Sequence, residues 1–277
     1  MNRLEDLIQQ VRKLPAIPAV AMEVLQSMAG ADTDVERLAR QISHDQAIAA
    51  RVLRVANSPF YGLQARIGSI QDAIVVLGIS AVRSIVLAAA MIAGMPEGRC
   101  PGFSQKRFWK HVLGVAVAAQ SLARPLKRSP EPLFVAGLLH DIGRLAMTVL
   151  CPDDFEQVLS MARERDCMLR EAELAHFGFD HSAVGAALGE HWNFPASVVD
   201  ALAWHHLPAR GMPGGLAGII HYADAIAHAL DLEGADTDQV PRLDEDTVEA
   251  LGLDREALLA VLAETRTRFE SYETLMG

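Results

Sequence analysis

The chain has 277 residues, of which 51% are hydrophobic and 5% aromatic, so it is long enough to bury a substantial core. Its formal net charge is −10, and because phosphate backbones require a basic stripe that this sequence lacks, a nucleic-acid-binding surface is excluded. The three cysteines are odd in number and lack metal-ligand spacing, so they favour neither a disulfide framework nor a zinc site and fit a reducing cytoplasm.

Apolar runs along the chain are short. Residues 1–13 mix charged and apolar side chains and lack the continuous apolar stretch of a secretory signal. The longest apolar run, residues 85–95, falls short of the roughly 20 residues that cross a bilayer. We therefore expect a cytoplasmic protein with no membrane partner.

The first third of the chain contains signals for helix starts and stops. Capping boxes are predicted at Thr33 and Ser43, each followed three residues later by Glu or Gln. The Asn-Ser-Pro triplet at 57–59 ends the second of these helices, because the residue before proline avoids helical backbone. Residues 69–77 and 79–91 predict two more helices hinged at a glycine, the second apolar enough to be largely buried.

Residues 94–102 interrupt the apolar pattern with Gly, Pro, Glu and Arg, which indicates a boundary between two helical sectors. Longer helices are predicted after it, at 104–126, 131–150, 152–166, 168–176, 181–192, 195–205 and 216–230. An acidic loop at 234–246 precedes a last helix at 254–275. The sequence thus predicts an all-α helical bundle of two packed sectors, 1–95 and 103–230, with a C-terminal segment at 231–277.

Histidine is distributed unevenly, since nine of the ten lie between His111 and His228. The residues able to hold one or two divalent metals come from several predicted helices, which is how bundle cores build metal sites. The candidate ligands are His111, His140, Asp141, His181, His205, His206 and Asp224.

The strongest local signal is the stretch 138–144, Leu-Leu-His-Asp-Ile-Gly-Arg, in which an apolar helix suddenly carries an adjacent His and Asp. His140 and Asp141 diverge by about 100° around a helix, yet both can reach an ion lying between them. Gly143 permits close approach of another backbone. A buried Asp141 requires a metal, a histidine partner or a hydrogen-bonded cap.

Simpler interpretations compete at several positions. His111 or His181 taken alone is more typical of a core histidine with a satisfied hydrogen bond. Asp224 shares a helix face with His221 and His228, so a local side-chain pair competes with metal binding there. The remaining histidines, which we interpret as surface, packing or cap residues, are His44, His176 and His191.

The His-Asp doublet, with His111 upstream and Asp224 downstream, resembles the HD superfamily of metal-dependent phosphohydrolases. The whole pattern is closer to the HDOD family, whose hallmarks are similar to segments 14–18, 42–58, 69–78, 179–185 and 192–195. The resemblance extends from about residue 14 to 206 and more weakly to 224. It implies an HD-like fold and a regulatory, protein-interacting module, frequently without demonstrated catalysis.

Two departures separate this chain from HD-GYP proteins, the branch that hydrolyses cyclic di-GMP. Arg107 stands one turn before His111, where that branch carries a metal-bridging glutamate. The stretch after His205 lacks the Gly-Tyr-Pro continuation. A full multinuclear centre and cyclic di-GMP hydrolysis are therefore not expected.

Two functions follow from the resemblance. The first is a signal-transduction module that acts on a protein partner and carries Fe, Mn, Ni, Zn or Mg in its cluster. The alternative is a metal-dependent phosphohydrolase acting on a nucleotide or cyclic nucleotide, with Asp141 at the metal and Arg144 holding phosphate. A purely structural cluster without a ligand is a third interpretation. The upstream signal stays open, as does the oligomeric state, with a homo-oligomer among the alternatives.

Overall fold

The structure is a computed structural model that describes residues 3–11, 14, 17–27, 35–63, 66–95, 99–234 and 239–276. Over these ranges it contains helices and turns and no strand, which confirms the predicted all-α fold. One continuous hydrophobic core runs through the bundle. The division into two sectors near residues 95–103 therefore stays a prediction from sequence.

The N-terminal sector, as we use the term, comprises helices α2–α6. With the preceding helix, their bounds are α1 Arg3–Val11, α2 Ala19–Ser27, α3 Val35–His44, α4 Gln46–Ala56, α5 Ile70–Leu77 and α6 Ile79–Gly94. Most of α6 is buried, as its apolar sequence predicts. Helix α1 lies outside this sector, since it packs against two later helices, Ile142–Leu150 and His181–His191.

The predicted capping box at Ser43 is wrong. Ser43 lies inside α3 and donates to the Ala39 carbonyl, whereas Asp45 caps α4 by accepting from the backbone nitrogens of the next turn. A carboxylate is as good a cap as a hydroxyl, and Asp45 stands closer to the helix start. The box at Thr33 lies outside the described residues.

The HD-like sector comprises α7–α14. Their bounds are α7 Gln105–Leu122, α8 Pro130–Leu139, α9 Ile142–Leu150, α10 Pro152–Arg165, α11 Leu169–Phe177, α12 His181–His191, α13 Ala196–Trp204 and α14 Leu216–Ala229. The helix predicted over 131–150 is two helices, because the backbone turns at His140 and Asp141. That break aims both side chains inward.

Gly143 lets α9 and α12 approach each other closely. A Cβ atom built at this position would lie 2.0 Å from the His181 carbonyl oxygen and 2.7 Å from the Gly185 nitrogen. No rotamer change can relieve a clash with backbone atoms, so only glycine fits. The contact predicted for Gly143 is confirmed, and it brings the start of α12 against Asp141.

Two helices follow the acidic loop. Helix α15, Glu245–Leu251, was not predicted, since its start lies in a stretch interpreted as loop. Helix α16, Arg255–Glu273, packs against α7 and buries Phe269 and Tyr272.

The stretch Pro130–Leu150 has the length and composition of a membrane span, but 83% of its apolar window is buried inside the protein. The core helix of a soluble protein meets the same test. Here the stretch is divided by the turn at His140 and Asp141.

Candidate metal centre

The structure brings together all seven predicted ligand residues. They come from α7, the turn between α8 and α9, the start of α12, the end of α13, and α14. Six of them are at most 5% exposed, and only His206 is partly exposed. The interpretation of His111 and His181 as isolated core histidines does not fit this convergence.

Asp141 lies at the centre of the cluster, and its two oxygens face different histidines. Oδ1 is 3.0 Å from His181 Nε2 and 3.5 Å from His205 Nε2. Oδ2 is 3.6 Å from His111 Nε2 and 3.5 Å from His140 Nε2. The carboxylate therefore lies between two sets of imidazoles, as a group bridging two ions would.

Asp224 closes one side of the cluster. Its Oδ1 is 3.3 Å from His111 Nε2 and 3.3 Å from His228 Nε2, so His228 forms the local pair considered from sequence. His221 does not join it, because its ring bridges the His205 carbonyl and the Asp244 backbone nitrogen. Despite burial, which alone would raise it, the pKa of Asp224 is held well below its usual range by His111 and His228.

Backbone carbonyls set the tautomers of two histidines. His140 Nδ1 donates to the Gly137 carbonyl at 2.7 Å, and His205 Nδ1 donates to the Leu202 carbonyl at 3.0 Å. Each ring therefore turns its Nε2 towards Asp141. Proteins usually orient a metal-binding imidazole by a hydrogen bond from the ring nitrogen that does not bind the metal.

Glu173 orients a third histidine, and sequence reasoning missed it. This carboxylate of α11 is fully buried and accepts from His181 Nδ1 at 2.6 Å and from the His181 backbone nitrogen at 3.0 Å. Burial lowers the pKa of His181, but Glu173 and Asp141 together outweigh burial and raise that pKa to about 9. A lone glutamate on a short amphipathic helix carried no signal of this contact.

Arg144 contacts the cluster directly. Its Nη1 lies 2.6 Å from Asp141 Oδ2, one helical turn away. Burial alone would raise the pKa of Asp141, but Arg144, His140 and His181 hold it well below its usual range. Burial lowers the pKa of His140 to about 3. Asp141 is thus an anion and His140 a neutral imidazole, the forms that bind metals.

The cluster passes a chemical test for a metal site. Several fully buried atoms have ion-pair contacts at most, and none of their contacts among the described residues has hydrogen-bond geometry; they are His111 Nε2, Asp141 Oδ1 and Oδ2, His205 Nε2 and Asp224 Oδ1. Leaving such atoms unsatisfied is costly. An ion bonded at about 2.1 Å to two of them would hold them about 3.0–3.4 Å apart, close to the observed separations. Nitrogen and carboxylate donors suit Zn, Fe, Mn or Ni better than Mg.

A narrow cleft of about 210 Å³ reaches the cluster from the surface, and His111 and Arg144 lie at its inner end. Its mouth holds Arg107 and Glu233. Arg107 donates to the Gly234 carbonyl at 3.1 Å, and Glu233 Oε2 lies 3.9 Å from His111 Nδ1. Sequence reasoning missed Glu233, which supplies a carboxylate on the side where Arg107 had replaced one.

Helices that converge on an adjacent His-Asp pair define the class of HD-like helical proteins. The HDOD domain family matches residues 14–208, well over half of the chain, and the chain therefore belongs to the HDOD family.

Solved structures agree with this assignment. An HDOD domain protein of unknown function from Geobacter sulfurreducens is 25% identical, with a TM-score of 0.82 over 99% of this chain and 97% of that one. A protein from Shewanella amazonensis SB2B with a provisional phosphohydrolase assignment is 28% identical, with a TM-score of 0.77 over 98% of both chains.

A relative is also found by sequence. An uncharacterized protein of Treponema pallidum is 22% identical over 246 residues, which are 86% of this chain and 46% of that protein. The chain thus spans about half the length of this relative.

Proposed function

We propose that this HDOD protein is a signalling module that acts through contact with a partner protein, and that its interior cluster holds a divalent metal ion. The observation that carries the metal site is the set of buried donor atoms around Asp141 whose contacts lack hydrogen-bond geometry. The ligands we assign are His111, His140, Asp141 and Asp224. His181, His205 and His206 would either support these ligands or form a second position that shares Asp141. A bound ion would act as a Lewis acid and lower the pKa of a coordinated water.

Access to the cluster favours a regulatory role over catalysis. Asp141, His181 and His205 are 0% exposed, so a substrate would have to enter through the narrow cleft. Arg144 is already ion-paired with Asp141, and this contact would compete with a substrate phosphate for the same guanidinium. The resemblance to regulatory HDOD proteins points the same way.

The surface we propose for a partner lies on α5. Val75 and Val76 are 84% and 50% exposed. Adjacent exposed valines in a helix otherwise anchored by buried Ile70 and Ala73 are typical of an interaction surface.

Metal content tests the first half of the proposal. After the full chain is loaded separately with Fe, Mn, Ni, Zn and Mg and then desalted, elemental analysis should find at least one equivalent of one metal. His140→Ala and Asp141→Asn should lose it. His191→Ala is the matched control, since His191 is exposed on α12 and should leave metal content unchanged. Wild-type protein that retains no metal under any loading condition would contradict the metal site.

A phosphohydrolase is the second candidate, and the cleft is the observation that favours it. Arg107, Arg144 and Arg163 line this cleft, an arrangement that suits a phosphate group beside the metal ligands. In that reaction Asp141 would hold the ion while Arg144 stabilises the developing charge.

Turnover separates the two candidates. The metal-loaded chain is assayed on nucleotides and cyclic nucleotides, beside Asp141→Asn. Rates near those of the variant support the regulatory module. Enzyme-like turnover that Asp141→Asn abolishes would replace it with the hydrolase.

A further inference from the structure

A second cavity lies in the N-terminal sector, on segments that the metal centre does not use. It is an open cleft of about 890 Å³ between the C-terminal half of α4 and the loop that follows it, which we call the α4 cleft. Arg54, Asn57 and Ser58 all line it, and they stand at i, i+3 and i+4 in the hallmark segment 42–58. The segment thus presents a group of polar side chains to one cavity.

Asn57 shapes the α4 cleft by holding its loop. Its Nδ2 donates to the Leu53 carbonyl at 2.7 Å and to the Ile67 carbonyl at 2.9 Å, while its Oδ1 accepts from the Ile67 nitrogen at 2.8 Å. The loop therefore returns to the end of α4 and leaves the cleft open beside it. This pairing makes the cavity a built feature of the fold.

The α4 cleft is cationic in a protein whose net charge is −10. Arg54 and Arg66 both line it, and none of the described residues around it is acidic. Arg54 is anchored by a hydrogen bond from Nη1 to the Thr274 carbonyl at 3.1 Å. The lining residues thus bring two guanidinium groups and no carboxylate to the cavity, a composition that favours an anionic ligand.

The buried hydroxyl of Ser58 is an independent observation that supports a ligand in the α4 cleft. It is only 7% exposed, and its hydroxyl makes no hydrogen bond in the part of the chain that the structure describes. The same serine precedes the short 3₁₀ turn at Pro59 and does not cap it through its side chain. A buried hydroxyl without a partner is costly unless something in the cavity bonds to it.

The apolar part of the lining indicates the rest of the ligand. Leu53, Leu63 and Ile67 also line the α4 cleft. A volume of about 890 Å³ lies within the range typical of small-molecule sites. The cavity is therefore large enough for a flat apolar moiety as well as an anion.

We propose that the α4 cleft binds a phosphorylated small molecule of nucleotide size. Arg54 and Arg66 contact its phosphate oxygens, Ser58 hydrogen-bonds the ligand, and the leucines cover its apolar part. This site is separate from the metal centre and would bind its ligand without metal.

Calorimetric titration of the metal-free full chain tests the site, with ADP, inorganic pyrophosphate and uncharged adenosine as probes. ADP should bind at least about tenfold more tightly than adenosine, because the charged contacts supply most of the affinity. Arg66→Ala and Ser58→Ala should each weaken ADP binding, the arginine change by about tenfold or more. Ser58→Ala should not lower the melting temperature, since its hydroxyl has no partner in the protein.

Two further variants locate the binding. His140→Ala, in the metal centre, should bind ADP as wild type does, and so should Arg40→Ala, which removes an exposed arginine paired with Glu36 on α3. ADP binding that His140→Ala removes, or that Arg66→Ala leaves unchanged, would overturn the proposal. So would equal affinity for ADP and adenosine, or no binding of ADP and pyrophosphate.

Discussion

The two sectors of this bundle differ in what they bury. Among the described residues of α2–α6, the one buried charged side chain is Arg83, and its ion-pair partner at 3.6 Å is Glu131 of the other sector. The HD-like sector buries Asp141, Glu173 and Asp224 together with several histidines. The interior of one sector is thus mostly apolar, and the interior of the other contains a cluster of charged and titratable side chains.

A helical sector can pack with little buried charge, since the described helices of the N-terminal sector bury no charged side chain other than Arg83. Removing charged groups from water costs several kcal/mol each unless they are paired or bound to an ion. We therefore attribute the polar interior of the HD-like sector to the metal site proposed above. Substitutions in each sector test this difference.

The largest effect is expected for Asp141→Ala. The change leaves Arg144 and the protonated His181 without the carboxylate that both contact, which should reduce the free energy of unfolding by about 3–5 kcal/mol. Urea denaturation of the metal-free protein measures it. Asp200→Ala, at an exposed position of α13, should change stability by less than about 0.5 kcal/mol.

A double variant isolates the cause. In Asp141→Ala/Arg144→Met the unpaired guanidinium is gone, so part of the lost stability should return. A double variant no more stable than Asp141→Ala would show that Arg144 is not the source of the loss.

The next largest effect is expected for Gly143→Ala, which tests packing without charge. The added methyl group meets the His181 carbonyl, so α9 and α12 must separate at a cost of about 2–3 kcal/mol. Gly185→Ala is the matched control, because its nearest neighbours lie at 3.5 Å or more and its cost should stay within about 1 kcal/mol. Equal losses in urea denaturation would contradict the close approach.

The sequence was enough to predict the helical fold and the convergence of the seven candidate ligand residues, because apolar periodicity and the His-Asp doublet are local signals. It was not enough for the contacts that orient these residues. Glu173 lies eight residues before His181, and Glu233 reaches His111 only through the folding of α14 against α7. The capping error at Ser43 has a different origin, since Ser43 and Asp45, two positions apart, both have side chains that can cap a helix.

A smaller effect is expected for Glu173→Gln, in which the amide can still accept a hydrogen bond but the charge is lost. Against the effect of burial, Glu173 and Asp141 raise the pKa of His181 to about 9 from an unfolded value of about 6.5. The contact between Glu173 and His181 therefore stabilises the metal-free protein fully below about pH 6.5. The contribution is lost as the pH rises to about 9. Urea denaturation should show Glu173→Gln less stable by about 1–2 kcal/mol at pH 6 and nearly equal at pH 9.

Metal affinity gives Glu173→Gln a second measurement. Loss of a carboxylate that orients a metal-binding histidine typically weakens binding about 10- to 100-fold. Glu171→Gln, an exposed change on the same helix, should alter neither stability nor affinity. A stability difference that grows with pH would contradict the charge interaction.

The smallest effect is expected for Val75→Lys on the surface of the N-terminal sector. Because Val75 is 84% exposed, the change should alter the free energy of unfolding by less than about 0.5 kcal/mol and leave metal content untouched. Denaturation and elemental analysis test both points. The variant is informative because it separates the two halves of the proposed function: the charge disrupts an apolar contact with a partner without reaching the cluster. If the lysine reduced metal content, α5 and the metal centre would have to be coupled through the core, and the sectors would not be independent.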